Sequence, residues 1–156
     1  LNNRIGRGFS LEKDHPNVIE GGKKTVNTIQ AYMVFEKNGS MVLGGTPGGD
    51  NQAQFNAQVI ANLLDYGMDV QAAVAAPRWT LFPGTDPANI ERPYEIRVED
   101  GIPEQSSEVL RLKGHRVNQM SATGVSGAEQ LIRIDSETGA RSGGGDPRID
   151  GIPSPE

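Results

Sequence analysis

The 156-residue chain carries a formal net charge of -5 and no cysteine. Its length predicts one domain, burying roughly 70% of the surface its unfolded form would expose. A nucleic-acid surface is excluded because no basic stripe interleaves with aromatics, no apolar run approaches the ~20 residues of a spanning helix, and without thiols there is no disulfide framework or thiolate nucleophile.

Taken in order, residues 1–27 are rich in Gly, Asn and charge and predict an irregular, loop-rich segment. Arg4 and Arg7 are spaced to converge on one anion if Gly6 and Gly8 bend the backbone, with two solvated surface arginines as the even alternative. His15, beside Pro16, and His115 are too isolated to suggest a metal site, and none is assigned. Leu1 brings neither an initiator Met nor a signal-peptide profile, so the sequence reads as a piece of something longer. Residues 28–35 and 40–43 predict two strands joined by a hairpin turn at residues 36–39.

The hairpin delivers the chain to Gly44-Gly45-Thr46-Pro47-Gly48-Gly49-Asp50, after which Phe55, Val59, Ile60, Leu63 and Leu64 recur at helical spacing. Asp50 is placed to cap this helix and Gly67 to end it. Gly48 and Gly49 therefore precede a helix start, where amides lack helical partners and missing side chains let a ligand approach the backbone. That arrangement suits an anion or an oxyanion. It is neither a phosphate loop nor a dinucleotide fingerprint, since the Lys-Ser/Thr pair and the G-x-G-x-x-G spacing are both missing.

Asp69 should cap a short helix over residues 70–76, stopped by Pro77. Residues 79–93 hold several breakers and predict a loop pinned by Trp79, Leu81 and Phe82. A strand over 94–99, a helix over 103–113 and strands over 116–120 and 128–134 follow, with a turn at 135–139. Residues 141–150 read as a closing segment and the tail as frayed. The division is thus a loop-rich pocket segment (1–27), packed elements (28–150) and a tail (151–156), in a mixed α/β fold of α+β type with helices over a face of antiparallel strands.

Several segments together resemble one family. Leu1-Asn2-Asn3, Phe9-Ser10, Gly45-Thr46-Pro47-Gly48-Gly49, Asn62-Leu63-Leu64-Asp65-Tyr66-Gly67-Met68, Ala75-Ala76-Pro77-Arg78 and Gly145-Asp146-Pro147-Arg148 are similar to the small subunit of gamma-glutamyltransferases, collinearly over almost the whole chain. The resemblance implies an incomplete portion of an N-terminal nucleophile hydrolase, an αββα sandwich. Its precursor cuts itself so that a threonine becomes the first residue of the small subunit and attacks an amide with its own α-amine as base. It also implies that Gly48 and Gly49 donate the oxyanion-hole amides. By the same resemblance that threonine precedes Leu1, so the chain alone should be inactive. Its partners would then be the large subunit, the remaining small-subunit segment and a small-molecule amide. No cofactor, nucleic acid or membrane is implied.

Departures from the family pattern bear on the substrate. After Asn3, typical members carry a Gln and an Asp that hold the substrate's α-amino group; here Arg4 and, depending on a one-residue insertion, Gly6 or Arg7 stand there. Guanidinium in place of carboxylate turns the preference from ammonium to anion. Asn27-Thr28-Ile29 replaces the usual Ser-Ser-Met. These features are more similar to the divergent branch that holds glutaryl-cephalosporin acylase-like proteins, and imply an acyl site made by Arg4, Arg7, Asn27 and Thr28 for a carboxylate-bearing acyl amide. The alternative is a non-catalytic binding or structural subunit that retains the fold; hydrolysis and transpeptidation are not separated by sequence.

Overall fold

The computed structural model describes residues 8–24, 28–84, 91–121 and 127–154. In chain order the described elements are β1 (Ala31–Phe35), β2 (Met41–Gly45), α1 (Asn51–Leu64), α2 (Val70–Ala75), β3 (Trp79–Phe82), β4 (Glu95–Glu99), α3 (Glu104–Leu112), β5 (Val117–Met120), β6 (Gln130–Ile134) and β7 (Arg141–Gly145). An antiparallel sheet runs β1-β2-β6-β7; a smaller one runs β3-β4-β5, with β4 and β5 parallel and joined through α3. The predicted α+β arrangement is what forms.

Side chains alternate across a strand, so the register sorts the large sheet into two faces. Tyr32, Val34, Val42, Gly44 and Leu131 share the face packed on the helices, where Val42 and Leu131 join Val59, Ala73 and Val74 in the core. Gly44 is required there: a Cβ would lie 2.3 Å from a Leu131 methyl and 2.5 Å from the Tyr32 ring. The opposite face carries Met33, Phe35, Met41, Leu43, Ile132 and Ile134. Met33, Phe35 and Ile132 on it are 51%, 71% and 50% exposed, so much of this apolar face is open, while Pro153 lies over its β7 edge at Gly143.

Two segments differ from their expectation. Trp79–Phe82, predicted as loop, is a strand, because Gln54 and Gln58 of α1 supply its outer edge: Trp79 and Leu81 N–H donate to Gln58 and Gln54 side-chain oxygens at 3.0 and 2.7 Å, and Gln58 Nε2 donates to the Trp79 carbonyl. Arg141–Gly145 is likewise a strand. Its glycines answer to distant parts of the chain, since Cβ atoms at Gly144 and Gly145 would stand 2.6 Å from the Val70 carbonyl oxygen and 2.3 Å from that of Gly151. The tail is not loose over its described part, as Pro153 packs against Gly143 and Gly145.

The hairpin, the Asp69 cap (Ala72 N–H to Asp69 Oδ1, 2.8 Å) and the glycine stop at Gly67 form as predicted. Asp50 does not cap α1 through its side chain. Its backbone is already helical (φ -63°, ψ -20°), whereas a capping residue needs an extended one. Leu64, expected on the buried face of α1, is 47% exposed; Gln52 and Asn56 are buried instead, and Asn56 Nδ2 donates to the Gln30 carbonyl.

Candidate active site

The register brings four segments out at one end of the large sheet. Ala31 pairs with Gly45, Gly45 with Gln130 and Gln130 with Gly145, so residues 28–30, 46–50, 127–129 and 146–148 cluster there. Thr28 and the Gly48-Gly49 turn are thus brought to one place. Arg4, Arg7 and Asn27 lie outside the described residues.

The turn is fixed from both sides. Thr46, buried at the end of β2, accepts the Ala128 N–H at 2.7 Å and donates from the same hydroxyl to the Pro47 carbonyl at 2.8 Å. Downstream, Asn51 and Gln52 N–H donate to the Gly48 and Gly49 carbonyls, each at 3.1 Å. Gly48 and Gly49 have φ of 137° and 57°, which side chains disfavour. Among the described residues neither the Gly48 nor the Gly49 N–H has an acceptor. Gly49 is exposed and Gly48 half-buried, so two donors without an acceptor among the described residues stand ahead of a helix N-terminus.

At the same end of the sheet lies a buried ionic network. Asp146 Oδ2 accepts from Arg78 Nη2 at 2.6 Å and from the Glu129 N–H at 2.8 Å, while Oδ1 accepts from the Arg148 N–H and Nη1 at 3.0 and 3.1 Å. Arg148 also makes a two-pronged pair with Glu99, and its Nη2 reaches the Ala76 carbonyl. Arg78 Nη2 donates to the Val74 carbonyl, its own N–H donates to Glu99, and its guanidinium lies 5.3 Å from the Phe55 ring centre. Two guanidinium groups and two carboxylates so tie β7 to the C-terminal end of α2 and to the second sheet. Burial works against the Asp146 carboxylate, yet the Arg148 N–H and the Arg78 guanidinium hold it below the usual range.

Glu129 is fully buried as well. Its Oε1 accepts the Tyr32 hydroxyl at 3.0 Å, and Oε2 has no partner among the described residues. Burial pushes its carboxyl up, against the pull of the Tyr32 hydroxyl and Arg78. Burial and the adjacent Glu129 likewise drive the Tyr32 hydroxyl well above the ordinary tyrosine range. Sequence reasoning missed the roles of Thr46, Glu99 and Glu129. Arg78, Asp146 and Arg148 were visible as motif residues, but nothing local said that they meet.

Residues 1–155 match the family model described as Gamma-glutamyltranspeptidase. The chain is 35% identical over 97% of its length to the glutathione hydrolase-like YwrD proenzyme of Bacillus subtilis, covering 28% of that protein. To the glutathione hydrolase proenzyme of Escherichia coli it is 28% identical over 95% of its length, covering 25% of that protein. It thus spans about a quarter of these relatives. Among solved structures, an acivicin-inhibited gamma-glutamyltranspeptidase superposes with a TM-score of 0.72 at 27% identity, over 96% of this chain and 80% of that one. A cephalosporin acylase from Bacillus halodurans superposes at 0.70 and 30%, over 94% of this chain and 26% of that one. The shared architecture is that of the N-terminal nucleophile hydrolases, here as an α+β portion of the sandwich.

Proposed function

The chain belongs to the gamma-glutamyltranspeptidase family, and from that premise we propose that it forms part of a self-processed amidohydrolase or acyltransferase acting on a gamma-glutamyl or related carboxylate-bearing acyl amide. The supporting observation is the pair of Gly48 and Gly49 amides at the sheet end, which have no acceptor among the described residues. In this reading a threonine hydroxyl, from a segment of the protein outside this chain, attacks the substrate carbonyl. The carbonyl oxygen takes the negative charge and the two amides donate to it, which for one such donor is worth ~2.7–4 kcal/mol at the transition state. The threonine's α-amine accepts the hydroxyl proton and passes it to the leaving amine; water or an amine acceptor then takes the acyl group.

Arg4 anchors the distal carboxylate of the acyl group, with Arg7 beside it and Asn27 and Thr28 lining the acyl site. Guanidinium groups suit a carboxylate that an Asp would repel. The exposed apolar part of this sheet face is taken in the same reading as a surface on which a further layer of the processed protein packs, which agrees with relatives that are proenzymes.

The test is the intact mass and N-terminal sequence of every chain in protein purified from its full-length gene, together with release of 4-nitroaniline from γ-glutamyl and glutaryl anilides. A chain beginning with Thr, a second chain and anilide cleavage are expected. A single unprocessed chain that cleaves neither anilide would refute the proposal in favour of a non-catalytic subunit.

A further inference from the structure

We infer that the Thr46 side chain is a positioning residue that aims the Gly48 amide at the reacting carbonyl; this rests on the oxyanion role proposed above for Gly48. The Pro47–Gly48 bond is trans, so the Pro47 carbonyl and the Gly48 N–H lie in one plane and point in opposite directions. Whatever holds the carbonyl therefore aims the amide. Thr46 Oγ1 lies 2.8 Å from that carbonyl.

The direction of each bond is forced. The Ala128 N–H can only donate, so it occupies a lone pair of the Thr46 oxygen at 2.7 Å; the Pro47 carbonyl can only accept, so it receives the hydroxyl proton. Thr46 is 6% exposed, and a Cβ on Gly127 would stand 3.2 Å from Oγ1 and 2.6 Å from the Phe55 ring. The chain just before β6 is thus pressed onto the hydroxyl, and water has little room to compete. The next plane is held in the same sense by the Asn51 N–H on the Gly48 carbonyl, which aims the Gly49 amide without any side chain. Of the two donors, Gly48 alone depends on a substitutable group, and the freedom of the Gly48 φ (137°), together with the Pro47 ψ, otherwise lets that plane turn.

Thr46→Val keeps the branched shape and deletes the hydroxyl, whereas Thr46→Ser keeps the hydroxyl and deletes the methyl. In the processed full-length protein, Thr46→Val should lower kcat about 10- to 100-fold, less than outright loss of an oxyanion donor. KM and the affinity of a ground-state competitor should stay within about two-fold, because the amide acts on the transition state. Thr46→Ser should recover most of the rate. Equal losses in the two variants, or a raised KM with kcat intact, would refute positioning by the hydroxyl. Should Thr46→Val block self-cleavage, crystals of the unprocessed variant decide: a turned Pro47–Gly48 plane supports the inference and an unmoved one overturns it. A wild-type protein that cleaves no acyl amide removes the underlying reading and the inference with it. Wild-type cleavage with an indifferent Thr46→Val removes the inference alone.

Discussion

Replacing Asp146 by Asn tests whether the buried network holds the two sheets together. Both Asp146 oxygens accept two donors each within 3.1 Å, from Arg78, Glu129 and Arg148. An amide can present one oxygen only, so one pair of donors faces an NH₂ group and two guanidinium charges lose their shared counter-charge. Breaking a buried pair on one side costs about 3–5 kcal/mol. A clear fall in Tm is therefore expected in calorimetry of the full-length protein. The sign with pH follows from the carboxylate's depressed value: its contribution is whole above about pH 4 and is lost as pH falls through the lower native value. Wild type and variant should therefore converge in acid. A Tm unchanged from wild type at neutral pH, or a gap that widens on acidification, would refute the reasoning.

Other expectations follow from single contacts. Glu129→Gln should raise stability at neutral pH, because burial lifts the native carboxyl above its ordinary value and stability is then lost as pH rises through that interval; unfolding titrated from about pH 4 to pH 8 should show this slope in wild type and not in the variant. Gly144→Ala should cost about 1–3 kcal/mol or more, since its Cβ meets the Val70 carbonyl at 2.6 Å, while Gly21→Ala, with open space around it, should stay within about 0.5 kcal/mol in the same melts. Arg4→Ala should weaken cleavage of glutaryl and γ-glutamyl anilides far more than of neutral acyl anilides; equal loss on both classes would remove the carboxylate-anchor assignment.

What the sequence made legible was local. The β1–β2 hairpin, the Asp69 cap and the helical spacing of Phe55 and Val59 each rest on residues a few positions apart, and each formed. β3 was hidden because its edge partners are glutamine side chains on α1, and glutamine carries no strand signal. β7 was hidden because three consecutive glycines look like a turn. Their reason, close approach of α2 and of residues 151–153, lies elsewhere in the chain. The glycine turn at 48–49 could be placed in advance because strand, bend and helix all border it. Its latch could not, because the Thr46 hydroxyl is fixed by Ala128, 82 positions away.

The same separation governs how the site is built. The groups proposed to meet substrate are backbone amides at the mouth of a sheet, and amides have no conformation of their own to defend. Their direction must come from the frame. Here the frame is polar and deep: Asp146 fixes the Glu129 N–H, Ala128 beside it fixes Thr46, and Thr46 fixes the Pro47 carbonyl. An apolar core would fill the same space without selecting one orientation of a peptide plane, whereas each hydrogen bond in this chain admits one. In the proposed reading, the buried charges serve the aim of the Gly48 amide, since for net stability a well-packed hydrophobic replacement often does as well.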